Sequence, residues 1–377
     1  MTSRMFILAG EASGDVLAAQ LMQAIEQIKG TVDWSGMGGP QMAAAGLVSD
    51  EDMSQLSVIG LGEALTSLPR LSRLADRLID QILDVRPDCV FTVDSKAFSV
   101  RFARRLRRRL AGEQWRPKLI HMVAPTIWAW GGWRKTAFED AFDVLLCLFP
   151  FEADMFDKSR VQPVFVGHPQ ADFPSDQTST ETKTYDLAVL PGSRRSEIKH
   201  HLPLMLPALA RLQDKHGPLC MTIPAVPHLY EVIAEQIKAA DMAQLVTVQQ
   251  APAKQVLDRS AAMIAASGTV TLEAAISGVP GVVIYHLSLL NRMFTSMFYK
   301  KDTPVLPDLI LGRQYYPFLL PPRLNADNLF HLADQMLKEL PARQAEMWSA
   351  SAQLCSMLRA GHGQFADNLV MRLRPLI

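Results

Sequence analysis

What most limits the folds open to this chain is an alternation repeated along it. Short apolar runs end in loops of Gly, Pro, Ser or Asp, and a segment of helical periodicity follows each. In the first half the runs are 5–9, 89–93, 119–123 and 144–149, with a shorter one before the glycine-rich turn 36–40 and a helix expected over 16–28. The pattern restarts at 187–190, 220–223, 245–248, 263–266 and 282–285, with helices near 202–216, 229–240, 253–260 and 271–276. Short apolar strands separated by helices imply a parallel sheet covered on both faces. FPSDQTSTETKT, 173–184, is polar and aperiodic and reads as a linker. The expected fold class is therefore α/β, with two doubly wound domains, 1–172 and 185–341. The tail 326–373 is helical, and Pro341 starts a new helix.

The bulk numbers agree with that division. A chain of 377 residues exceeds what one hydrophobic core usually serves. The formal net charge of zero gives no global field for nucleic acid, so any basic function is a local patch. Cys89, Cys147, Cys220 and Cys355 lie far apart without C-x-x-C spacing, which argues against a zinc site or a disulfide framework. The first apolar run, 5–9, is too short for a signal peptide or a spanning helix, so a cytosolic chain is expected.

Chemistry concentrates where runs end. LAVLPGSRRSE, 187–197, passes from strand through a small-residue turn into a helix, leaving backbone N–H groups to meet an anion. Gly192 and Ser193 would line that cradle, and Arg194 would add a planar charged fork for phosphate oxygens. AASGTVTLE, 265–273, repeats the arrangement. Ser267, Gly268 and Thr269 form the turn, and Glu273 is suited to ribose hydroxyls; alternatively Ser267 or Thr269 caps the helix and Glu273 is a first-turn charge. In GEASGD, 10–15, two glycines, two carboxylates and a hydroxyl share one expected loop, where Gly10, Glu11, Ser13, Gly14 and Asp15 would face a polyol unless Asp15 caps the next helix. Asp94 closes the run 89–93 and suits a general base, or an N-cap for a helix near Phe98.

Several stretches look sticky. RFARRLRRRL, 101–110, sets six arginines around a Phe102, Leu106 and Leu110 stripe, either a helix for an anionic bilayer or a solvated face. LNRMFTSMFY, 290–299, and the leucine series of 61–82 are further apolar faces. Trp128, Trp130 and Trp133 follow His121 and read first as core anchors.

Taken in order, GEASGD (10–15), GMGGPQM (36–42), LSVIGLGEAL (56–65), APTIWAW (124–130), FPFE (149–152), FVGHP (165–169), LPGSR (190–194) and SGTVTLE (267–273) resemble the lipid-A-disaccharide synthase family over about three quarters of the chain. The resemblance implies the B-type glycosyltransferase fold, two Rossmann-like domains with the C-terminal helices 342–377 crossing back to complete the first. It implies an inverting transfer of 2,3-diacylglucosamine from its UDP derivative to 2,3-diacylglucosamine 1-phosphate, giving a β-1,6-linked disaccharide and UDP. No metal and no cofactor are expected. Expected partners are those two substrates and an anionic membrane, at the cytoplasmic face of the inner membrane, with no nucleic acid; a homodimer stays open. By motif, Asp94 would be the base for the 6-hydroxyl and Arg194 would hold the leaving diphosphate. Ser267, Gly268, Thr269 and Glu273 would hold the nucleotide, and Glu11, Ser13 and Asp15 would face the sugars.

The chain also departs from the family. The family's GIDAPDF stands here as TVDSKAF, 92–98, placing Lys96 and Ala97 where the family has Pro and Asp. Its LPN is Leu306-Pro307-Asp308, which sets an acid near the expected diphosphate. A related UDP-sugar transferase or epimerase with a changed acceptor, and a non-catalytic membrane-surface protein, are the alternatives.

Overall fold

The computed structural model describes residues 2–57, 68–127, 133–172, 183–286, 303 and 305–377. These residues form two compact units, Met1–Pro169 with Leu358–Ile377, and Gln170–Met357.

The first unit holds β1 (Ser3–Ala9), α1 (Ala12–Lys29), β2 (Val32–Met37), α2 (Pro40–Ala44), α3 (Ser54–Ser57), α4 (Leu68–Val85), β3 (Cys89–Val93) and α5 (Lys96–Arg109). It continues with β4 (Lys118–Met122), α6 (Trp133–Ala141), β5 (Val144–Cys147) and β6 (Gln162–Phe165). All its strand pairs are parallel, in the order β2-β1-β3-β4-β5-β6. The chain moves to one side from β1 to β2 and to the other from β3 onward, so the switch point lies between the carboxyl ends of β1 and β3. Both faces are covered, which is why β3, CVFTV, is buried at every position and reads as a continuous apolar run.

The second unit holds β7 (Tyr185–Leu190), α7 (Arg195–His216), β8 (Met221–Pro224), α8 (Tyr230–Ala239), β9 (Val246–Gln249), α9 (Ala253–Asp258), β10 (Ser260–Ala266), α10 (Thr269–Ile276) and β11 (Gly281–Ile284). It ends with α11 (Leu306–Leu311), β12 (Phe318–Leu319), α12 (Ala326–Lys338) and α13 (Leu340–Leu358). The order β12-β11-β10-β7-β8-β9, again parallel, is the Rossmann order, with its switch point between β7 and β10.

The return to the first unit comes at Leu358, later than the 342 expected from sequence. The reason is that α13 is tied to the second unit. Gln344 Nε2 donates to the Gly278 carbonyl at 2.6 Å, Ser351 Oγ to that of Ile276 at 2.6 Å, and the Tyr315 hydroxyl to that of Met347 at 3.1 Å. Only α14 (Phe365–Leu373) crosses back, burying Phe365, Leu369 and Leu373 in the core that includes Ala18, Leu21 and Ile25 of α1.

Of the two readings of 101–110, the apolar stripe belongs to the core rather than to a bilayer. Phe102, Leu106 and Leu110 are buried in the core under α4 and α6. Arg105 pairs with Asp76, Arg109 with Asp80, Arg107 with Asp143 and Arg104 with Asp140, so acids from neighbouring segments neutralise most of the charge. In the leucine series Leu71, Leu74 and Leu78 are core, while residues 290–299, Trp128 and Trp130 lie outside the described residues. Among the described residues no helix is long and apolar enough to cross a membrane.

One buried and one partly buried imidazole give the first unit a defined pH response. Burial pushes His121 down to about 3, where its Nδ1 meets the Thr92 hydroxyl at 2.6 Å, and pushes His168 down to about 4. Both rings regain an ordinary value near 6.5 on unfolding, so the unfolded chain binds more protons below that pH. Stability is full above about pH 6.5 and falls by about 1.4 kcal/mol per pH unit per ring as pH drops toward 4. Thermal midpoints measured from pH 7 to pH 5 should decline accordingly; a flat profile would contradict neutral burial of these rings.

Candidate functional site

At the first switch point the turn after β1 meets the turn after β3, and small residues make the approach possible. A Cβ on Gly10 would lie 2.5 Å from Ser95 Oγ, and one on Gly14 would lie 3.3 Å from the Val93 carbonyl. Gly10 and Gly14 thus let α1 sit against the end of β3. Asp94 N–H donates to the Met122 carbonyl at 3.0 Å, and Ser99 Oγ donates to the Asp94 carbonyl at 2.9 Å. Between these anchors Asp94 and Ser95 both take positive φ, 53° and 43°. Two consecutive left-handed non-glycine residues are strained, a cost that clusters at functional sites. Asp94 does not cap α5; its Oδ1 accepts from Lys96 Nζ at 2.9 Å.

GEASGD is not a loop, because α1 begins at Ala12 with Glu11 as its N-cap. Glu11 and Ser13 are exposed. Asp15 is corrected as a sugar ligand. It is 2% exposed, and its oxygens accept the backbone N–H groups of Gly39 at 2.9 Å, Gln41 at 2.9 Å and Met42 at 3.1 Å, capping α2 rather than its own helix. Asp15→Ala should cost about 3 kcal/mol by stranding those donors, lowering the thermal midpoint by roughly 6–12 °C. An unchanged midpoint would contradict this anchoring role.

At the second switch point the turn 191–194 follows β7 and the turn 267–268 follows its neighbour β10. Gly192 adopts φ 127°, where a side chain would be strained and its Cβ would meet Glu197. Glu197, overlooked in the sequence, fills the expected cradle. Its Oε2 accepts from Ser193 N–H at 2.8 Å and Arg194 N–H at 3.3 Å, and its Oε1 takes the Arg194 guanidinium at 3.1 Å. This is one half of a capping box, the third helical residue accepting the N-cap N–H, since an arginine side chain has no acceptor to return the bond; a Glu three residues past the junction was its available signal. The Arg194 side chain is 78% exposed and remains able to swing. His201, also overlooked, braces the turn. Its Nδ1 meets the Pro191 carbonyl at 2.8 Å and its Nε2 accepts from His286 N–H at 3.1 Å, and burial pushes the ring down, keeping it neutral.

The start of α10 is different. Gly268 is its N-cap with no side-chain capping bond, and nothing lies within 4 Å of a Cβ placed there. Gly268, rather than Ser267 or Thr269, thus holds the N-cap position. Glu273 stands one turn in, partly buried, accepting from Gln170 Nε2 at 3.1 Å; burial raises its carboxyl. Asp308 is corrected as a diphosphate neighbour. It is 2% exposed and accepts from Tyr315 N–H at 3.0 Å, Tyr316 N–H at 3.3 Å and Thr303 Oγ1 at 2.9 Å, so its charge is spent inside the fold. Beside it opens a groove of about 790 Å³ lined by Leu309, Phe318, Leu320, Pro321, Arg313 and Arg323. Among the described residues no cluster of three or more His, Cys, Asp or Glu is placed to hold a metal ion.

A family model described as lipid-A-disaccharide synthetase matches residues 5–356. The chain belongs to that family. Its relatives include the lipid-A-disaccharide synthases of Rhodospirillum centenum, 36% identical over 91% of this chain and 87% of that protein, and of Azotobacter vinelandii, 36% identical over 92% of each. Members of this family are glycosyltransferases, and the chain is an enzyme of that kind. Solved structures agree on the fold. Acinetobacter baumannii MurG superposes with a TM-score of 0.57 at 14% identity over 100% of this chain and 99% of that one. The S. aureus MnaA–UDP structure gives 0.65 at 13% over 100% and 97%. The architecture is the B-type glycosyltransferase fold, shared with UDP-N-acetylglucosamine 2-epimerases.

Proposed function

We propose that this lipid-A-disaccharide synthetase family member transfers 2,3-diacylglucosamine from UDP-2,3-diacylglucosamine to the 6-hydroxyl of 2,3-diacylglucosamine 1-phosphate. The products are the β-1,6-linked lipid A disaccharide and UDP. The observation that carries this reading is the strained Asp94 at the first switch point, on a chain whose second unit has two strand-turn-helix junctions at its own switch point. Such crevices are where open parallel sheets bind ligands.

In this reading Asp94 accepts the 6-hydroxyl proton as that oxygen bonds to the donor's anomeric carbon. The bond from that carbon to the diphosphate breaks, and UDP leaves with the electron pair. Attack from the face opposite the leaving group inverts the centre. Arg194 and the N–H groups of the 267–269 turn stabilise charge on the departing diphosphate. Glu273 receives the ribose hydroxyls, and Glu11 and Ser13 contact the acceptor sugar. The Glu197 carboxylate holds the cradle in shape until the diphosphate takes Arg194 from it. Acylated substrates would draw the reaction to a membrane surface, which the family resemblance implies is the cytoplasmic face of the inner membrane.

The test is mass spectrometry of products after incubation with both acylated substrates, alongside UDP release. A disaccharide 1-phosphate formed one-to-one with UDP supports the reading. An isomerised UDP-sugar without UDP release would replace transfer by epimerisation, and no turnover of any UDP-sugar would leave a binding protein.

A further inference from the structure

Asp94 is partnered in a way that general-base catalysis alone does not require. Lys96, two residues on, places Nζ 2.9 Å from Oδ1, with the lysine side chain 29% and the aspartate side chain 20% exposed. Between them, Ser95 Oγ is buried and has no hydrogen-bond partner among the described residues. All three stand at the first turn of α5, a helix of 14 residues whose N-terminal N–H groups add partial positive charge. An ammonium and a helix start thus stand beside the base.

We propose that Lys96 is a specificity-determining residue that binds the anomeric phosphate of the acceptor, and that in moving to the phosphate it frees Asp94 for the 6-hydroxyl. This rests on the transfer reaction proposed above. The connectivity of a hexose supports it. Only the ring oxygen separates C5, which carries the 6-hydroxymethyl group, from C1, which carries the phosphate. The two functional groups therefore lie along one edge of the sugar, where a carboxylate and an ammonium two residues apart can address both. A phosphate monoester carries more charge and more acceptor oxygens than a carboxylate, so it draws the ammonium away from Asp94. Before the acceptor arrives, Lys96 neutralises a carboxylate that would otherwise repel an anionic substrate. The bonds made and broken are unchanged; the proton still passes from the 6-oxygen to Asp94.

The pair is a single, partly exposed contact at a helix start rather than part of the core, so a Lys96 variant folds and can be assayed. The experiment compares the native enzyme, Lys96→Met and Lys96→Arg at saturating UDP-2,3-diacylglucosamine. The two acceptors are 2,3-diacylglucosamine 1-phosphate and the same sugar without the phosphate. With the phosphorylated acceptor, Lys96→Met should raise KM by about 10- to 100-fold while kcat changes far less, the size expected for losing one charge-assisted contact. With the unphosphorylated acceptor, where nothing draws Lys96 from Asp94, the variant should lose no rate, so the preference for phosphate collapses. Lys96→Arg should recover most of that preference. An undiminished preference in Lys96→Met overturns the proposal, as does an equal loss on both acceptors, which would make Lys96 a positioning group for Asp94 only. A native enzyme that transfers to neither acceptor overturns the transfer reading itself, and this proposal with it.

Discussion

Asp94→Asn should lower kcat by about a thousandfold while leaving the fold intact, the middle of the range for removing a positioned general base. Asparagine is the informative replacement. Asp94 has φ 53°, a conformation asparagine adopts readily, whereas alanine there would mix backbone strain into the result. The substitution keeps the size of the side chain and removes the proton acceptor. What it loses structurally is the partly exposed ion pair with Lys96, worth no more than about 1 kcal/mol. The thermal midpoint should therefore move by only a few degrees. Turnover within tenfold of native would remove Asp94 as the base, whatever the fate of the rest of the site.

Arg194→Ala should lower kcat/KM for the UDP donor by about a hundredfold, chiefly through KM if the guanidinium holds the diphosphate equally in ground and transition states. The size follows from a forked, charge-assisted contact with phosphate oxygens, which lysine cannot reproduce with a single point charge. In the unliganded protein the guanidinium is mostly exposed and paired with Glu197, so its removal costs little stability. The backbone N–H bonds from Ser193 and Arg194 to Glu197 do not involve the replaced side chain and persist. A variant with native donor kinetics would place the diphosphate elsewhere. A fall confined to kcat would assign Arg194 to the leaving group's developing charge alone.

The sheet was legible because its strands are buried on both faces and so appear as continuous apolar runs. The run 89–93 coincides with β3, and the restart of the pattern at 187 marks the second sheet. Helix starts were less legible. Residues 12–15 belong to α1 because Glu11 serves as N-cap through its backbone, without the side-chain bond that advertises a cap. Asp15 and Asp308 were misread for one physical reason. A buried carboxylate must be satisfied, and here the donors are backbone N–H groups, for Asp15 some 24 to 27 residues away, which no local pattern reveals.

The arginines of 101–110 show the same limit for surfaces. A basic amphipathic stripe looks alike in sequence whether it meets lipid or core, and only the acids at 76, 80, 140 and 143 decide that this one is neutralised within the unit. Glu197, by contrast, was within reach, since a carboxylate three residues past a strand-turn-helix junction is a capping pattern. Lys96 was noticed as a departure from the family motif, but its pairing with Asp94 required the left-handed turn that places the two side chains together.

The most direct test of the nucleotide site is amide hydrogen exchange with and without UDP. The account predicts that UDP slows exchange in the 191–198 and 267–276 segments of the second unit, with the 10–15 and 94–99 segments of the first unit little changed. Slowing confined to the first unit, with 191–198 and 267–276 unaltered, would contradict it.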